Sequence, residues 1–253
     1  MNNVPNANDH RRHSPPATSV QTYARIAGVL FLLSIVAGGF GEFYVPSKLI
    51  VSGDAAATAK NIIVFDSLFR LSFAGYLVEA VCDIAVAWIF YVLLRPVRRD
   101  LALLAAFFGL VATATFAVAE LFYFAASFIL GGAAYLKTFS PEQINSLAML
   151  SLKFYGVGAG VFMVFYGVGW VIRGYLIFRS DYLPKALGAL LALAGLGFIT
   201  RNFALVLAPA FASAILLFPM FLAGVSLTAW LLVKGVDVPK WEAKAAALAD
   251  NRP

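Results

Sequence analysis

Cysteine, histidine and charge are all scarce in this sequence, and each shortage removes a class of chemistry. The chain carries one cysteine, Cys82. A single thiol closes no intramolecular disulfide and builds no cysteine-based metal site, so Cys82 reads as a small buried apolar residue. Both histidines, His10 and His13, lie near the start of the chain, which leaves no histidine to act as a base inside the apolar segments. The zinc-protease, serine-hydrolase and phosphate-loop signatures are missing as well. No cofactor and no metal ion is expected on these grounds. Charged residues make up only 13% of the chain, about half the usual share of a soluble domain. Hydrophobic residues make up 62%, and a soluble fold of this length would lack the polar surface to cover its core.

The apolar residues come in long blocks. A membrane-spanning helix needs about 20 of them in sequence. Six blocks qualify, at about 26–45, 71–94, 101–130, 154–178, 183–207 and 210–233. The expectation is an all-α integral membrane bundle of six transmembrane helices over residues 24–236. A disordered polar tail over 1–23 precedes it and a cytoplasmic tail over 237–253 comes after. The run His10-Arg11-Arg12-His13 reads as part of the basic tail. Pro209 falls in the link before the last block, and Pro219 is expected to kink the sixth helix. Asp54 before an alanine run, and Ser140-Pro141-Glu142-Gln143 as a capping box, predict short helices along the outer surface. The second of these would place Leu147, Leu150 and Phe154 on one face. Trp241, Ala245 and Leu248 predict a third surface helix at the inner side.

Lysine and arginine set the orientation. With Arg173 assigned to the fourth loop, 13 of the 19 basic residues fall on the side of the two termini. Both ends are therefore expected in the cytoplasm, and the chain in the inner (plasma) membrane. The net charge of +6 would serve topology and anionic lipid headgroups. No nucleic-acid partner is expected, since no binding motif accompanies the charge.

Several stretches together resemble a known family. They are Arg25-Ile26-Ala27-Gly28, Gly53 to Ala59, Leu68-Phe69-Arg70-Leu71, Tyr91 to Val97, Phe139 to Gln143, Gly174 to Arg179, Tyr182-Leu183-Pro184 and Trp230 to Val236. The combination resembles a bacterial membrane family catalogued as domain of unknown function 4386, over roughly residues 24–236. The resemblance implies a multi-pass membrane protein and brings no activity, substrate or site residue.

Polar residues within apolar blocks are costly and mark function or structure. In the second block Ser72, Tyr76, Glu79 and Asp83 are spaced 4, 3 and 4 apart, which places them on one helical face. Counting from Arg70, Glu79 lies about 14 Å and Asp83 about 20 Å deep. Two carboxylates one turn apart in low dielectric repel, so at least one is expected to carry a proton. The face should point into the bundle, with Leu77, Val81 and Trp88 toward lipid. Glu42, Glu120 and Arg201 form a second set near the outer side, at depths of about 24, 28 and 27 Å. Arg201 is expected to pair with Glu42 or Glu120. In the glycine-rich fourth block, Gly156-x-x-x-Gly160 predicts close helix packing.

These features leave three function classes. The first is transport or sensing of a proton, cation or small solute at the acidic stripe. The second is a non-catalytic scaffold or accessory protein contacting lipids, a second copy or a partner membrane protein. The third is a membrane enzyme acting on lipid through Glu42, Glu120 and Arg201.

Overall fold

The structure, a computed structural model, describes residues 17–250; the His10–His13 run and the chain's last three residues lie outside it. Six helices are long and apolar enough to cross a membrane: Val20–Leu49, Asp66–Leu94, Arg99–Leu130, Pro141–Phe178, Lys185–Leu207 and Ala214–Val233. The first takes in all but the opening residues of α1 (Ala17–Gly39), then a π-helical segment (Phe40–Tyr44) and α2 (Val45–Leu49). Then come α3 (Ala55–Val64), α4 (Asp66–Leu94), α5 (Arg99–Leu130), α6 (Pro141–Phe178), α7 (Lys185–Leu207), α8 (Phe218–Val233) and α9 (Val238–Asp250). Each span packs on the next, and α8 returns to α1, so the six close into a ring. Short links make neighbours antiparallel. An even number of spans leaves both described ends on one side, called here the terminal side; the opposite side is the far side.

Local sequence explains most element ends. Asp54 caps α3 by accepting from the Ala57 amide at 2.8 Å. Ser140 and Gln143 form the predicted capping box at the start of α6, with Pro141 in the first turn. The short surface helix expected after this box is instead the opening of the fourth span, a correction. Pro141 to Phe178 is one helix of 38 residues, about 57 Å long, so its first turns stand beyond a hydrocarbon core of about 30 Å. No proline interrupts it after Pro141, and nothing stops propagation. Leu150 and Phe154 are exposed, while Ala148, Ser151 and Leu152 face the core. Pro219 is a second correction. It opens α8 rather than kinking it, because the first turn offers its missing N–H no acceptor anyway. Two 3-10 turns, Pro209–Phe211 and Ala214–Leu217, precede it.

Glycine does bring two helices together, at positions other than the predicted pair. Nothing lies within 4 Å of a Cβ built at Gly156, and one at Gly160 would meet only the Asn202 side chain. A Cβ at Gly174 would instead lie 2.6 Å from the Gly188 carbonyl oxygen, and one at Gly167 2.7 Å from that of Gly195. These two facing pairs, one heptad apart on each helix, seat α6 directly on α7.

At the terminal side the chain is latched. Tyr182 Oη and Trp241 Nε1 both donate to the Leu93 carbonyl, at 2.6 and 2.9 Å. Lys244 Nζ donates to the Arg179 and Ser180 carbonyls and to Asp181 Oδ2, at 2.6, 3.3 and 3.2 Å. Gln21 donates to the Lys234 carbonyl and accepts from the Val236 amide, and Arg25 donates to the Leu232 carbonyl. Asp181 and Asp237, outside the spans, are held below the usual carboxylate range by hydrogen bonds from Lys244 and Lys240 respectively. The amphipathic α9 thus lies across the terminal side with Trp241 buried.

Candidate functional site

α1 and α4 meet along a seam in matched register. Ser34 donates to Asp83 Oδ1 at 2.8 Å. One turn further along α1, Gly38 sits against Glu79, where a Cβ would lie 2.7 Å from either carboxyl oxygen. Another turn on, Gly41 lies against the Tyr76 ring with no room for a Cβ. Every step forward on the first span is met by an equal step back on α4. The seam therefore receives the predicted stripe as a unit. Ser72, Tyr76 and Asp83 are buried and Glu79 is half-buried, while Leu77, Val81 and Trp88 are exposed on the opposite face.

The π-helical segment adds Glu42 to this seam. A π turn takes one more residue than an α turn, widens the helix locally and re-aims side chains, a geometry common at functional sites. The Glu42 carboxyl accepts from the Tyr155 hydroxyl of α6 and lies beside Tyr76. Glu120 of α5 completes the group. It is 1% exposed, and neither of its carboxyl oxygens has a hydrogen-bond partner among the described residues. Glu79 lies within electrostatic reach of Asp83, Glu42 and Glu120. Ser72 lies close to the Tyr76 and Tyr123 hydroxyls, with its own hydroxyl outside hydrogen-bonding geometry.

The two expected groups are thus one. Glu42 and Glu120 join Glu79 and Asp83, and the expected pairing with Arg201 is corrected. Among the described residues Arg201 forms no ion pair with either acid, and its Nε has no partner. Tyr155 occupies the Glu42 carboxyl in its place.

Arg173, expected in a loop, is buried at 4% exposure in α6. It stands five residues, about 8 Å, inside the helix end. Helical side chains lean toward the N-terminus, which for α6 is the far side, so Arg173 reaches toward the membrane centre. Its guanidinium fills the space left by Gly109, lies 5.8 Å from the Phe90 ring centroid, and is within electrostatic reach of Asp83 and Tyr166. Moving Arg173 out of the loop count leaves the basic excess on the terminal side unchanged in sign. Its place six residues before Arg179, inside an apolar run, is the sequence signal for burial.

Aromatic rings fill the space beside the acids. Tyr76 and Tyr155 each contact the other and both Phe116 and Tyr123, with centroids 5.3–6.2 Å apart, and Phe162 stacks on Phe116 at 4.6 Å. Among the described residues no three His, Cys, Asp or Glu side chains are placed to hold a metal ion. Chemically, the group is a set of carboxyls, hydroxyls and one guanidinium spanning four helices.

Comparison with known proteins gives the family. A family model described as "Domain of unknown function (DUF4386)" matches residues 26–235. The chain belongs to that family. It is also 28% identical over 128 residues to an uncharacterized protein of Archaeoglobus fulgidus, a match covering 51% of this chain and 63% of that protein. The chain thus matches less than two thirds of that relative's length. No solved structure matches. Membership in DUF4386 brings no activity with it, so a functional reading rests on the site.

Proposed function

We propose that this DUF4386 protein binds and releases protons at the Glu42–Glu79–Asp83–Glu120 cluster, as part of small-solute transport or proton sensing in the inner (plasma) membrane, with its termini in the cytoplasm. One observation carries the reading: Glu120 is fully buried, among three other acids, with neither carboxyl oxygen partnered among the described residues. A buried polar group costs free energy unless something satisfies it. Four carboxyls within electrostatic reach of one another, with a guanidinium near only one of them, do not all carry charge in low dielectric. Packed rings occupy the neighbouring volume, and a proton is the ligand that needs least space. Tyr76, Tyr123 and Tyr155 supply hydroxyls for passing it between helices.

Proteoliposomes with a trapped pH dye test this reading. Under an imposed pH gradient the wild type should speed proton equilibration, and Glu79→Gln should abolish the effect. Proton uptake without flux would assign the site to sensing. Neither uptake nor flux would leave the protein as a scaffold.

A further inference from the structure

A second feature lies at the membrane surface, away from the acids. The end of α6, the turn to α7 and the latched α9 enclose a cavity of about 380 Å³ lined by Val97, Phe178, Arg179, Asp181, Lys185 and Lys244. Three cations share this cavity with one carboxylate. Asp181 takes Lys244 at 3.2 Å and Lys185 at 3.8 Å, while among the described residues nothing bonds the Arg179 guanidinium. Two positive charges therefore remain uncompensated. Lys185 also occupies the first position of α7, where the helix dipole disfavours a cation and favours an anion. Phe178 is exposed beside the cationic rim. A charged rim with an apolar flank at a helix end is the chemistry of a headgroup with its chain.

We propose that this cavity binds a phosphate ester, with Arg179 and Lys185 on the phosphate and Phe178 and Val97 against the apolar part. Arg179 offers a planar fork matched to phosphate oxygens. Lys244, already committed to the Arg179 and Ser180 carbonyls just past α6, borders the cavity. Asp181 is the internal competitor that the ligand displaces from Lys185. This site is independent of the carboxyl cluster.

Titration of the full chain in neutral detergent tests the assignment, with thermal stability as readout. The probes are dihexanoyl phosphatidylglycerol, dihexanoyl phosphatidylcholine and inorganic phosphate. The phosphatidylglycerol, a net anion, should stabilise saturably, and the phosphatidylcholine, whose phosphodiester is cancelled by a choline cation that the cationic rim repels, should not. An equal response to inorganic phosphate would support the phosphate site and make its ligand soluble. Arg179→Gln with Lys185→Gln should weaken binding about fivefold for each cation removed. Asp181→Asn should tighten it, a direction that mere damage to the fold would not produce; Asn also tolerates the positive φ of 64° at that position. Equal responses to both lipids, or binding unchanged in the double variant and in Asp181→Asn, would overturn the proposal.

Discussion

The terminal-side latch and the acid cluster at the α1–α4 seam differ in how far their polar atoms are satisfied. In the latch, Tyr182, Trp241, Gln21, Arg25 and Lys244 each donate to a named acceptor, and the Leu93 carbonyl receives two donors. In the acid cluster, neither oxygen of Glu120 has a partner among the described residues, and neither does Glu79 Oε2 or Ser72 Oγ. Glycine also serves differently in the seam and in the α6–α7 contact. Gly174 and Gly188 let the α6 and α7 backbones approach, while Gly38 and Gly41 clear space for a carboxyl and a ring. Buried polar groups are hydrogen-bonded in the great majority of cases, so a cluster of buried carboxyls with free oxygens marks the seam as the region to test.

The contrast is sharpest at the glycines. Gly188→Ala would set a Cβ 2.5 Å from the Phe178 amide nitrogen and 2.6 Å from the Gly174 carbonyl, and rigid backbone cannot yield. A loss of about 3 kcal/mol is expected, read as a lower melting temperature in detergent. Gly38→Ala meets only the end of the Glu79 side chain, which can swing away. Its stability cost should be visibly smaller, with proton binding altered instead. Equal losses in the two variants would erase the distinction.

The latch should respond next. Tyr182→Phe and Trp241→Phe each leave the Leu93 carbonyl one donor, at about 1 kcal/mol apiece. The double variant orphans that carbonyl, and its cost should exceed the sum by about 1 kcal/mol or more. Strict additivity in that cycle would show the carbonyl satisfied by another route.

Glu120→Gln should cost no more than about 1 kcal/mol, and a gain in stability is equally consistent, because the variant removes a buried acid that bonds to nothing. Severe destabilisation would reassign Glu120 to structure. The smallest effect concerns acid. The Asp181 carboxyl is held low by the Lys244 hydrogen bond first and by nearby basic charge second. A depressed carboxyl lends stability that is complete above its unfolded value, about 4, and is lost as pH falls through the lower folded value. Trp241 fluorescence should therefore report a loosening of α9 in that acid range, weaker in Lys244→Gln.

Much of this molecule is legible in its sequence. Six apolar blocks are six spans, Asp54 and Ser140 are caps, and the 4-3-4 spacing from Ser72 to Asp83 is a buried face. These are local properties, set by periodicity and by capping chemistry. Features that depend on partners are hidden. The merging of Glu42 and Glu120 with the stripe needs the ring order of the helices and the π turn, and neither can be derived from hydropathy. Arg173 passes for a loop cation because a count of charges near block ends does not weigh depth. The expected pairing of Arg201 with the acids rests on depth alone, which places residues at one level without deciding which of them meet.

If the seam acids hold exchangeable protons, infrared difference spectroscopy reads them directly. Spectra of the full chain in liposomes would be recorded as pH is raised, in wild type and in Glu79→Gln, Asp83→Asn, Glu42→Gln and Glu120→Gln. The wild type should lose a carboxylic-acid carbonyl band with rising pH, and the variants should lose part of that band's amplitude or shift its titration. A wild-type spectrum with no titrating carboxylic-acid band, or one identical in all four variants, would contradict the claim that this cluster is a proton site.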